Sequence, residues 1–233
     1  MKKRAFFTTL LLGGLIMIGL AGCGENKNSR EWIENKVFEV SRVYPTENLF
    51  DLFKQFPEGF NITQTFYKDS LRTVVSLDGD AENQTIKGKI EIIQISTDPY
   101  KEEVKEHVNV EYKDGEFIFS NNEVAEKIWG YKGFLFQKLS LNRDVLSKMK
   151  LEKFRYFSNR NVFEIYYISD NSTINNFLNS NGEHMLSISG AEAYNNNTKG
   201  YRLNVNIAFK DTPNDEMSEI VSSWIDDRNS VSN

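Results

Sequence analysis

The only cysteine of the chain, Cys23, follows two small residues, Ala21 and Gly22, at the end of an apolar run. Its thiol is the one strong soft nucleophile of the sequence, and a thiol reacts as the thiolate. Small residues before the cysteine let an extended chain enter a protease site at a membrane surface. A single cysteine also leaves no partner for a disulfide within the chain. The pattern therefore predicts covalent modification of Cys23.

The first 22 residues have the layout of a secretory signal, with basic residues at 2–4 and an apolar run from 5 to 20. The stretch Leu20–Cys23 is arranged like a bacterial lipobox. That arrangement implies that Cys23 receives a diacylglyceryl group and that a signal peptidase cuts between Gly22 and Cys23. An uncleaved signal-anchor helix is the alternative, because the run is close to the roughly 20 residues that span a bilayer. Two adjacent glycines within the run favour cleavage.

Lipidation of Cys23 predicts where the protein resides. We expect residues 1–22 to be removed as the signal peptide and residues 23–30 to form a lipidated tether. Each buried CH₂ of an acyl chain contributes about 0.8 kcal/mol, and one chain anchors a protein only marginally. Two or more acyl chains on Cys23, such as those of a diacylglyceryl group and a palmitate, would hold the protein durably on the membrane. The predicted location is the extracytoplasmic face of a cell membrane, with the lipid anchor as the contact to that membrane.

The charge of the mature chain excludes one class of partner. The full sequence has a formal charge of −5, and residues 1–22 carry three positive charges and no acid, so the mature chain has a charge of −8. Proteins that bind nucleic acid normally show a basic footprint. An acidic chain without one is not expected to bind nucleic acid.

The other residue types that support metal binding are few and poorly spaced. The two histidines, His107 and His184, lie far apart in the sequence, whereas a zinc site needs several His or Cys ligands at defined spacing. The acids Asp78, Asp80 and Glu82 begin like a calcium loop, but the glycine and glutamate that such a loop needs further on are missing. We therefore predict a polar turn there, with no metal site and no cofactor.

Sequence motifs for catalysis are similarly weak. Ser147 and Lys150 match the S-x-x-K nucleophile motif of penicillin-binding proteins, yet the later strand motif of that chemistry is represented only by Thr198-Lys199-Gly200 in a loop. Neighbouring acids such as Glu102-Glu103 are expected to be solvated rather than to form a general acid and base. We predict no catalytic residue and assign no ligand-binding residue. The aromatic groups are expected to pack in the core, with a ligand cleft as the alternative; they are Phe134–Phe136, Phe154–Phe157 and Tyr166-Tyr167.

The pattern of apolar residues predicts an α+β fold, with an antiparallel β-sheet of meanders and hairpins and flanking helices. Hairpin connections dominate, and no βαβ alternation is present. Asp114-Gly115 predicts a tight hairpin, because both residues tolerate positive φ. The predicted strands are 62–67, 71–77, 85–95, 104–112, 116–120, 154–157, 162–168, 184–189 and 201–209.

Helices are predicted at the start of the domain and between the strands. Helical spacing predicts one helix from near Ser29 to Pro45 and a second, capped by Thr46, to Phe56. Further helices are expected near 124–128, 142–150 and 170–179. A last helix is expected to open at Pro213, with Met217, Ile220, Val221, Trp224 and Ile225 on one face. Residues 31–228 thus form a single predicted domain, followed by a flexible tail at 229–233.

The chain resembles a known family, the tandem-type lipoproteins of staphylococci. The resemblance is carried by the lipobox at Leu20–Cys23 and by the segment Tyr44-Pro45-Thr46-Glu47-Asn48-Leu49-Phe50-Asp51-Leu52. A late run also contributes, from Ser189-Gly190 through Lys199-Gly200-Tyr201 to Phe209. The chain departs from the family at Phe53–Phe60, which is more aromatic than the charged segment expected there.

The resemblance implies a surface lipoprotein of a Gram-positive cell with a host-directed or immune-stimulating role in virulence. In that family the lipid end is sensed by host innate receptors, and some members promote entry into host cells. It implies no catalytic residue, and only Cys23 is carried over. The alternative is an accessory lipoprotein of the cell envelope whose partner lies in the producer's own membrane.

Overall fold

The computed structural model describes residues 26–191, 200–209 and 215–223. In this part of the chain, ten strands form one antiparallel sheet in the order β5-β4-β3-β2-β1-β10-β9-β8-β7-β6. The strands are β1 Phe60–Lys68, β2 Leu71–Asp80, β3 Thr85–Thr97, β4 Tyr100–Lys113, β5 Glu116–Phe119, β6 Lys150–Phe157, β7 Val162–Ser169, β8 His184–Ala191, β9 Arg202–Phe209 and β10 Glu216–Ser223.

The sheet consists of two five-stranded meanders, β1–β5 and β6–β10, joined where β1 pairs with β10. The antiparallel sheet was predicted, and strands make up more of the described chain than helices, so the predicted α+β class is confirmed only in this coarse form. The α-helices are α1 Arg30–Val37, α2 Leu52–Gln55, α3 Asn122–Ile128, α4 Arg143–Lys148 and α5 Ser172–Leu178. Short 3₁₀ turns lie at Phe38–Arg42, Leu49–Asp51 and Leu135–Gln137.

The helices and the segments between the strands cover one face of the sheet. Successive strand residues point to opposite faces, so every second side chain is directed toward these helices. Ile62, Leu77 and Ile165 are such residues, and all three are fully buried. On the other face the strands carry polar side chains, including Thr63, which is only half-buried. We call the covered face the inner face and the other the outer face.

The last predicted helix is wrong, because Glu216–Ser223 forms β10 in the centre of the sheet, between β1 and β9. Met217, Glu219 and Val221 alternate along the strand and are all buried. The alternation of these residues is hard to recognise in the sequence, because Ile220 gives the segment an apolar spacing typical of a helix. In the structure Ile220 lies on the outer face. Pro213, Trp224 and Ile225 lie outside the described residues, as does the tail predicted at 229–233.

The first predicted helix is shorter than expected. α1 ends at Val37, and the chain continues as a 3₁₀ turn to Arg42 instead of an α-helix to Pro45. The second helix is capped by Asn48 rather than Thr46: the Asn48 side chain accepts a hydrogen bond from the Phe50 amide. The Thr46 hydroxyl instead donates to the carbonyl oxygen of Val43, at 2.7 Å.

The turn expected at Asp78-Gly79-Asp80 also lies elsewhere, because all three residues belong to β2 and the connection to β3 is 81–84. Gly79 permits this, since its missing side chain leaves room for the Phe60 ring: a Cβ there would lie 2.4 Å from a ring carbon. The Asp114-Gly115 hairpin is confirmed, with both residues at positive φ.

Candidate functional site

The described chain begins at the outermost strand of the second meander. Asn28 accepts a hydrogen bond from the Tyr156 amide of β6 at 3.1 Å, and Ser29 caps α1 by accepting one from the Trp32 amide at 3.2 Å. The Lys27 ammonium lies 5.7 Å from the centre of the Tyr156 ring. Much of the segment predicted as a tether at 23–30 is therefore attached to the domain.

The predicted lipidation site, Cys23, and the predicted cleavage position after Gly22 lie outside the described residues. Three residues along the sequence separate Cys23 from Asn26, the first described residue. An extended chain advances at most about 3.6 Å per residue, so a lipid on Cys23 would join the domain within roughly 11 Å of Asn26. The next residues, Lys27 and Asn28, lie against the β6 edge of the sheet.

A buried carboxylate, Glu219, forms the most unusual polar cluster in the described chain. It lies on β10 opposite Gln64 of β1, and both side chains point to the inner face and are almost completely buried. Glu219 Oε1 accepts hydrogen bonds from the Tyr44 hydroxyl at 2.6 Å and the Phe136 amide at 2.9 Å. Glu219 Oε2 accepts from Gln64 Nε2 and from the Leu135 amide, both at 2.8 Å. These four donors use all the acceptor positions of the carboxylate.

The orientation of Gln64 is set by Trp129. The Trp129 indole donates from Nε1 to Gln64 Oε1 at 3.0 Å, so the amide nitrogen of Gln64 must face Glu219. That nitrogen also donates to the Gly133 carbonyl oxygen at 3.3 Å. Tyr44 is the one partner of Glu219 that can reverse its role, because a hydroxyl both donates and accepts.

Burial raises the pKa of Glu219 above its ordinary value, although the hydrogen bonds from Tyr44, Gln64 and the two backbone amides act in the opposite direction. Burial also raises the pKa of Tyr44 well above its ordinary value, and the nearby Glu219 carboxylate adds to this effect. The cluster is enclosed by its own partners. Its geometry holds three separate segments of chain on the centre of the sheet.

Sequence reasoning missed this cluster. Gln64 stands in a predicted strand with apolar neighbours at Ile62 and Phe66, and a polar residue at an inward position is a detectable signal. Glu219 was hidden because its strand was interpreted as a helix. Recognising the alternation Met217, Glu219, Val221 would have placed a carboxyl group in the core.

An aromatic stack borders a shallow depression at the far end of the central strands. The Tyr131 ring is stacked between Phe66 and Phe177, with centroid distances of 4.1 and 5.3 Å. Beside it, the side chains of Tyr67 and Leu71 are 37% and 40% exposed. The depression has a volume of about 300 Å³, and the residues that line it include Phe66, Tyr67, Leu71, Tyr131, Phe209 and Glu216.

The two histidines lie apart and have different roles. His184 is buried at the start of β8, where Nε2 lies 2.8 Å from Asn175 Oδ1 and 2.9 Å from Ser180 Oγ. It thereby connects α5 to the sheet. His107 is exposed on β4, beside Glu123 and Lys127 of α3. The structure does not bring the two together.

The weak catalytic motif is divided between two elements. Ser147 lies on α4, and its hydroxyl donates to the Asp144 carbonyl oxygen at 3.1 Å. Lys150 lies beyond the end of α4, as the first residue of β6, although the helix was predicted to reach it. Thr198 and Lys199 lie outside the described residues. Ser147 and Lys150 therefore lie on different elements.

The neighbouring acids and the predicted polar turn are engaged in local contacts. Hydrogen bonds from Tyr100 and Arg72 lower the pKa of Glu102, and Lys105 lowers that of Glu103. Asp80 accepts hydrogen bonds from the amides of Glu82 and Asn83, and the hydrogen bonds from Asn83 are the main cause of its lowered pKa. The neighbouring acids Asp226-Asp227, which are likewise expected to be solvated, lie outside the described residues.

The predicted aromatic core groups are only partly buried. Phe134, Phe136 and Tyr167 lie in the core, as expected for packing, and Phe154 and Tyr156 are partly buried against it. Phe157 and Tyr166 point to the outer face of β6 and β7 instead, where Val162 and Lys153 are their cross-strand neighbours.

Within residues 26–191, 200–209 and 215–223, no group of three or more His, Cys, Asp or Glu side chains could hold a metal ion. Nor does any helix in those ranges have the length and apolar character needed to cross a bilayer. No model of a known protein family matches the sequence, and no curated protein matches it.

Proposed function

We propose that this chain is a lipoprotein held on the extracytoplasmic face of a cell membrane by Cys23, with a folded domain that binds a partner without chemical transformation. The observation that carries the proposal is the lipobox-like stretch Leu20–Cys23, which follows a basic and apolar leader and immediately precedes the folded domain. A domain that begins this soon after the cysteine is suited to a position close to the bilayer.

The enclosure of Glu219 argues against a role for this carboxyl group as a general acid or base. A general acid or base must reach a substrate, whereas Glu219 is 1% exposed and each of its oxygens accepts two internal hydrogen bonds. The exposed apolar side chains Tyr67 and Leu71 border the depression at the end of the strands opposite to Asn28. Such a surface is typical of a contact with another molecule.

Lipid labelling of the producing cells tests the anchor. We expect the full chain to incorporate labelled fatty acid and to remain with the membrane fraction. Cys23→Ala should lose the label and should be found uncleaved or released. Cys23→Ser is the matched control, because it keeps the size of the side chain but forms no thioether. Membrane retention of a processed, unlabelled Cys23→Ala chain would rule the proposal out.

We further propose a surface role of the tandem-lipoprotein type, directed at a host and dependent on the resemblance in Tyr44–Leu52. An accessory role in the producer's own envelope is the second candidate. Mixing the lipidated protein with host cells and with producer membranes in parallel separates the two. Variants with Tyr67→Ser and Leu71→Ser identify contacts that depend on the exposed apolar surface, and Thr63→Ser on the outer face is the control. Binding to neither preparation would contradict the interaction role.

A further inference from the structure

The charges of this acidic chain are strongly separated along the sheet. Residues 143–160, which include α4 and β6, contain six Lys or Arg and two Asp or Glu, a formal charge of +4. Residues 60–128, which include β1–β5 and α3, contain eight basic and fourteen acidic residues, a formal charge of −6. Since β6 and β5 are the two edges of the sheet, one edge is basic and the opposite side is acidic.

The basic side chains of β6 form one exposed surface. Lys150, Lys153 and Arg155 pair with β7 residues at outer-face positions, and Arg160 lies in the turn between the two strands. All four are exposed. We call Lys150, Lys153, Arg155 and Arg160 the basic edge. Its nearest cross-strand acid is Glu164, whose Oε2 lies 3.5 Å from Arg155 Nη2.

Aromatic rings lie directly beneath two of these cations. The Lys153 ammonium is 4.2 Å from the centre of the Tyr166 ring, and the Arg155 guanidinium is 4.9 Å from the centre of the Phe157 ring. Cationic and aromatic side chains in this combination are typical of surfaces that contact the headgroup region of a bilayer. The composition of the basic edge and of the rings beside it is thus compatible with a contact to lipid headgroups.

The predicted anchor lies next to the same edge. Asn28 is hydrogen-bonded to Tyr156, the residue that follows Arg155 on β6. The few residues back to Cys23 allow roughly 11 Å between the lipid and the domain. Ten strands about 4.8 Å apart make the sheet roughly 40 Å wide, so the acidic β4–β5 edge would lie far from a bilayer that is in contact with β6.

We propose that the basic edge is a docking surface for anionic phospholipid headgroups, which orients the domain with β6 on the bilayer and the acidic β4–β5 edge away from it. This inference rests on the proposed function, because the lipid on Cys23 brings the edge to the membrane. The net charge of the chain does not prevent the contact. Charges more than about 8–10 Å away are largely screened at physiological salt, so the local sign of the charge decides the interaction.

Orientation can be measured on the full, lipidated chain in vesicles. Because Cys23 is acylated, one new cysteine can be labelled selectively with a fluorophore, either Asn159→Cys in the β6–β7 turn or Lys113→Cys at the end of β4. Vesicles of phosphatidylcholine, with or without phosphatidylglycerol, carry a quencher in the headgroup region. We expect the label at 159 to be quenched in anionic vesicles and the label at 113 to stay bright in both.

Charge reversal then tests the residues themselves. The triple change Lys153→Glu, Arg155→Glu and Arg160→Glu should reduce quenching at 159 to the level at 113, while the lipid keeps the protein on the vesicle. The matched control is Lys87→Glu, Lys89→Glu and Lys101→Glu, which makes the same charge change on β3 and β4. It should leave quenching at 159 unchanged. A milder variant with Gln at positions 153, 155 and 160 should give an intermediate loss of quenching at 159. A native circular dichroism spectrum would show that this variant is folded.

Two results would overturn the inference. One is equal quenching at 159 and 113; the other is quenching at 159 that survives the changes of Lys153, Arg155 and Arg160 to Glu and to Gln. A salt titration to about 1 M, where the screening length is about 3 Å, should reproduce the effect of charge reversal. Failure of the anchor is recognised separately. In that case the labelled protein would not float with the vesicles at all, and Cys23→Ala would behave like the unchanged chain.

Discussion

Gln64 Nε2 donates a hydrogen bond to Glu219 Oε2 at 2.8 Å on the inner face of the sheet. This contact joins β1 and β10, which are neighbours in the sheet although they are the first and the last strands in the described part of the chain. The two residues belong to different meanders, so the contact lies where the halves of the fold meet. Trp129 and Tyr44 complete the surroundings from two further segments. One carboxyl group therefore holds together residues that are far apart in the sequence.

Replacing this carboxyl group by an amide should lower the stability of the domain. In Glu219→Gln the new NH₂ group takes the place of one carboxylate oxygen and then faces groups that donate hydrogen bonds. At one position these are the Leu135 amide and the Gln64 nitrogen, and at the other they include the Phe136 amide. None of these three nitrogens can accept a hydrogen bond instead. A buried donor left without an acceptor costs about 1–3 kcal/mol. We expect a loss of this size in the free energy of unfolding from urea titration. Glu111→Gln on the outer face of β4, where the only polar contact of the side chain within the described chain is an ion pair with Lys87 at 3.6 Å, is the control, and it should change the value by less than about 0.5 kcal/mol.

The stabilities of the unchanged chain and of Glu219→Gln should respond differently to pH. Because the pKa of Glu219 is raised in the folded state, the folded chain binds this proton more tightly than the unfolded chain. Stability from this group is complete below the ordinary pKa of 4.5 and is lost as the pH rises through the raised value. The advantage of the unchanged chain over Glu219→Gln should therefore be largest in acid, and it should fall by at most about 1.4 kcal/mol per pH unit. An advantage that grows with pH would contradict a raised pKa.

Tyr44 should be coupled to Glu219. Its hydroxyl can accept the proton of a neutral Glu219 or donate to the ionised form, and no other partner can do both. Tyr44→Phe removes this capacity, so we expect it to destabilise the domain by about 1–3 kcal/mol. In a double-mutant cycle the loss for Tyr44→Phe should be at least about 0.5 kcal/mol smaller when Glu219 is already Gln. Strict additivity would show that the two side chains act independently.

The alternating strands were predictable because one face of the sheet is apolar and the other polar. Thr85 to Ile95 and Val162 to Ile168 show this period of two directly, and both lie in strands of the structure. The Asp114-Gly115 turn was predictable from its local chemistry. These features depend on neighbours in the sequence, which is why the sequence alone reveals them.

Two other features depend on partners distant in the sequence. β10 forms between β1 and β9, and its inward Glu219 is tolerated only because Tyr44, Gln64 and the amides of Leu135 and Phe136 converge on it. The residue type of Gly79 predicts a turn, whereas its role in the structure is to leave space for the Phe60 ring. The basic edge likewise became visible only when the strand order placed β6 at the border of the sheet.

Gly88 of β3 should not tolerate a side chain. A Cβ at this position would lie 1.8 Å from the Ser76 carbonyl oxygen of the neighbouring strand, and backbone cannot move aside cheaply. Gly88→Ala is therefore expected to cost about 3 kcal/mol or to prevent folding, at the upper end of what overpacking in a core typically costs. Gly130→Ala is the matched control, because nothing lies within 4 Å of the added atom. Thermal unfolding of the two variants should differ clearly, and equal melting temperatures would mean that β2 and β3 are less closely paired than described.

The aromatic stack at Tyr131 should stabilise the end of the sheet opposite to the predicted anchor. Tyr131 is stacked with Phe66 of β1 on one side and Phe177 of α5 on the other, so it links a loop to both layers of the fold. Aromatic pairs contribute about 0.5–1.5 kcal/mol each beyond the burial of their area. Tyr131→Leu keeps an apolar side chain but removes both ring contacts, and we expect it to lower the free energy of unfolding by about 1–3 kcal/mol. Tyr131→Phe keeps the stack and should change it by less than about 0.5 kcal/mol. A Tyr131→Phe loss as large as that of Tyr131→Leu would assign the contribution to the hydroxyl instead of the ring.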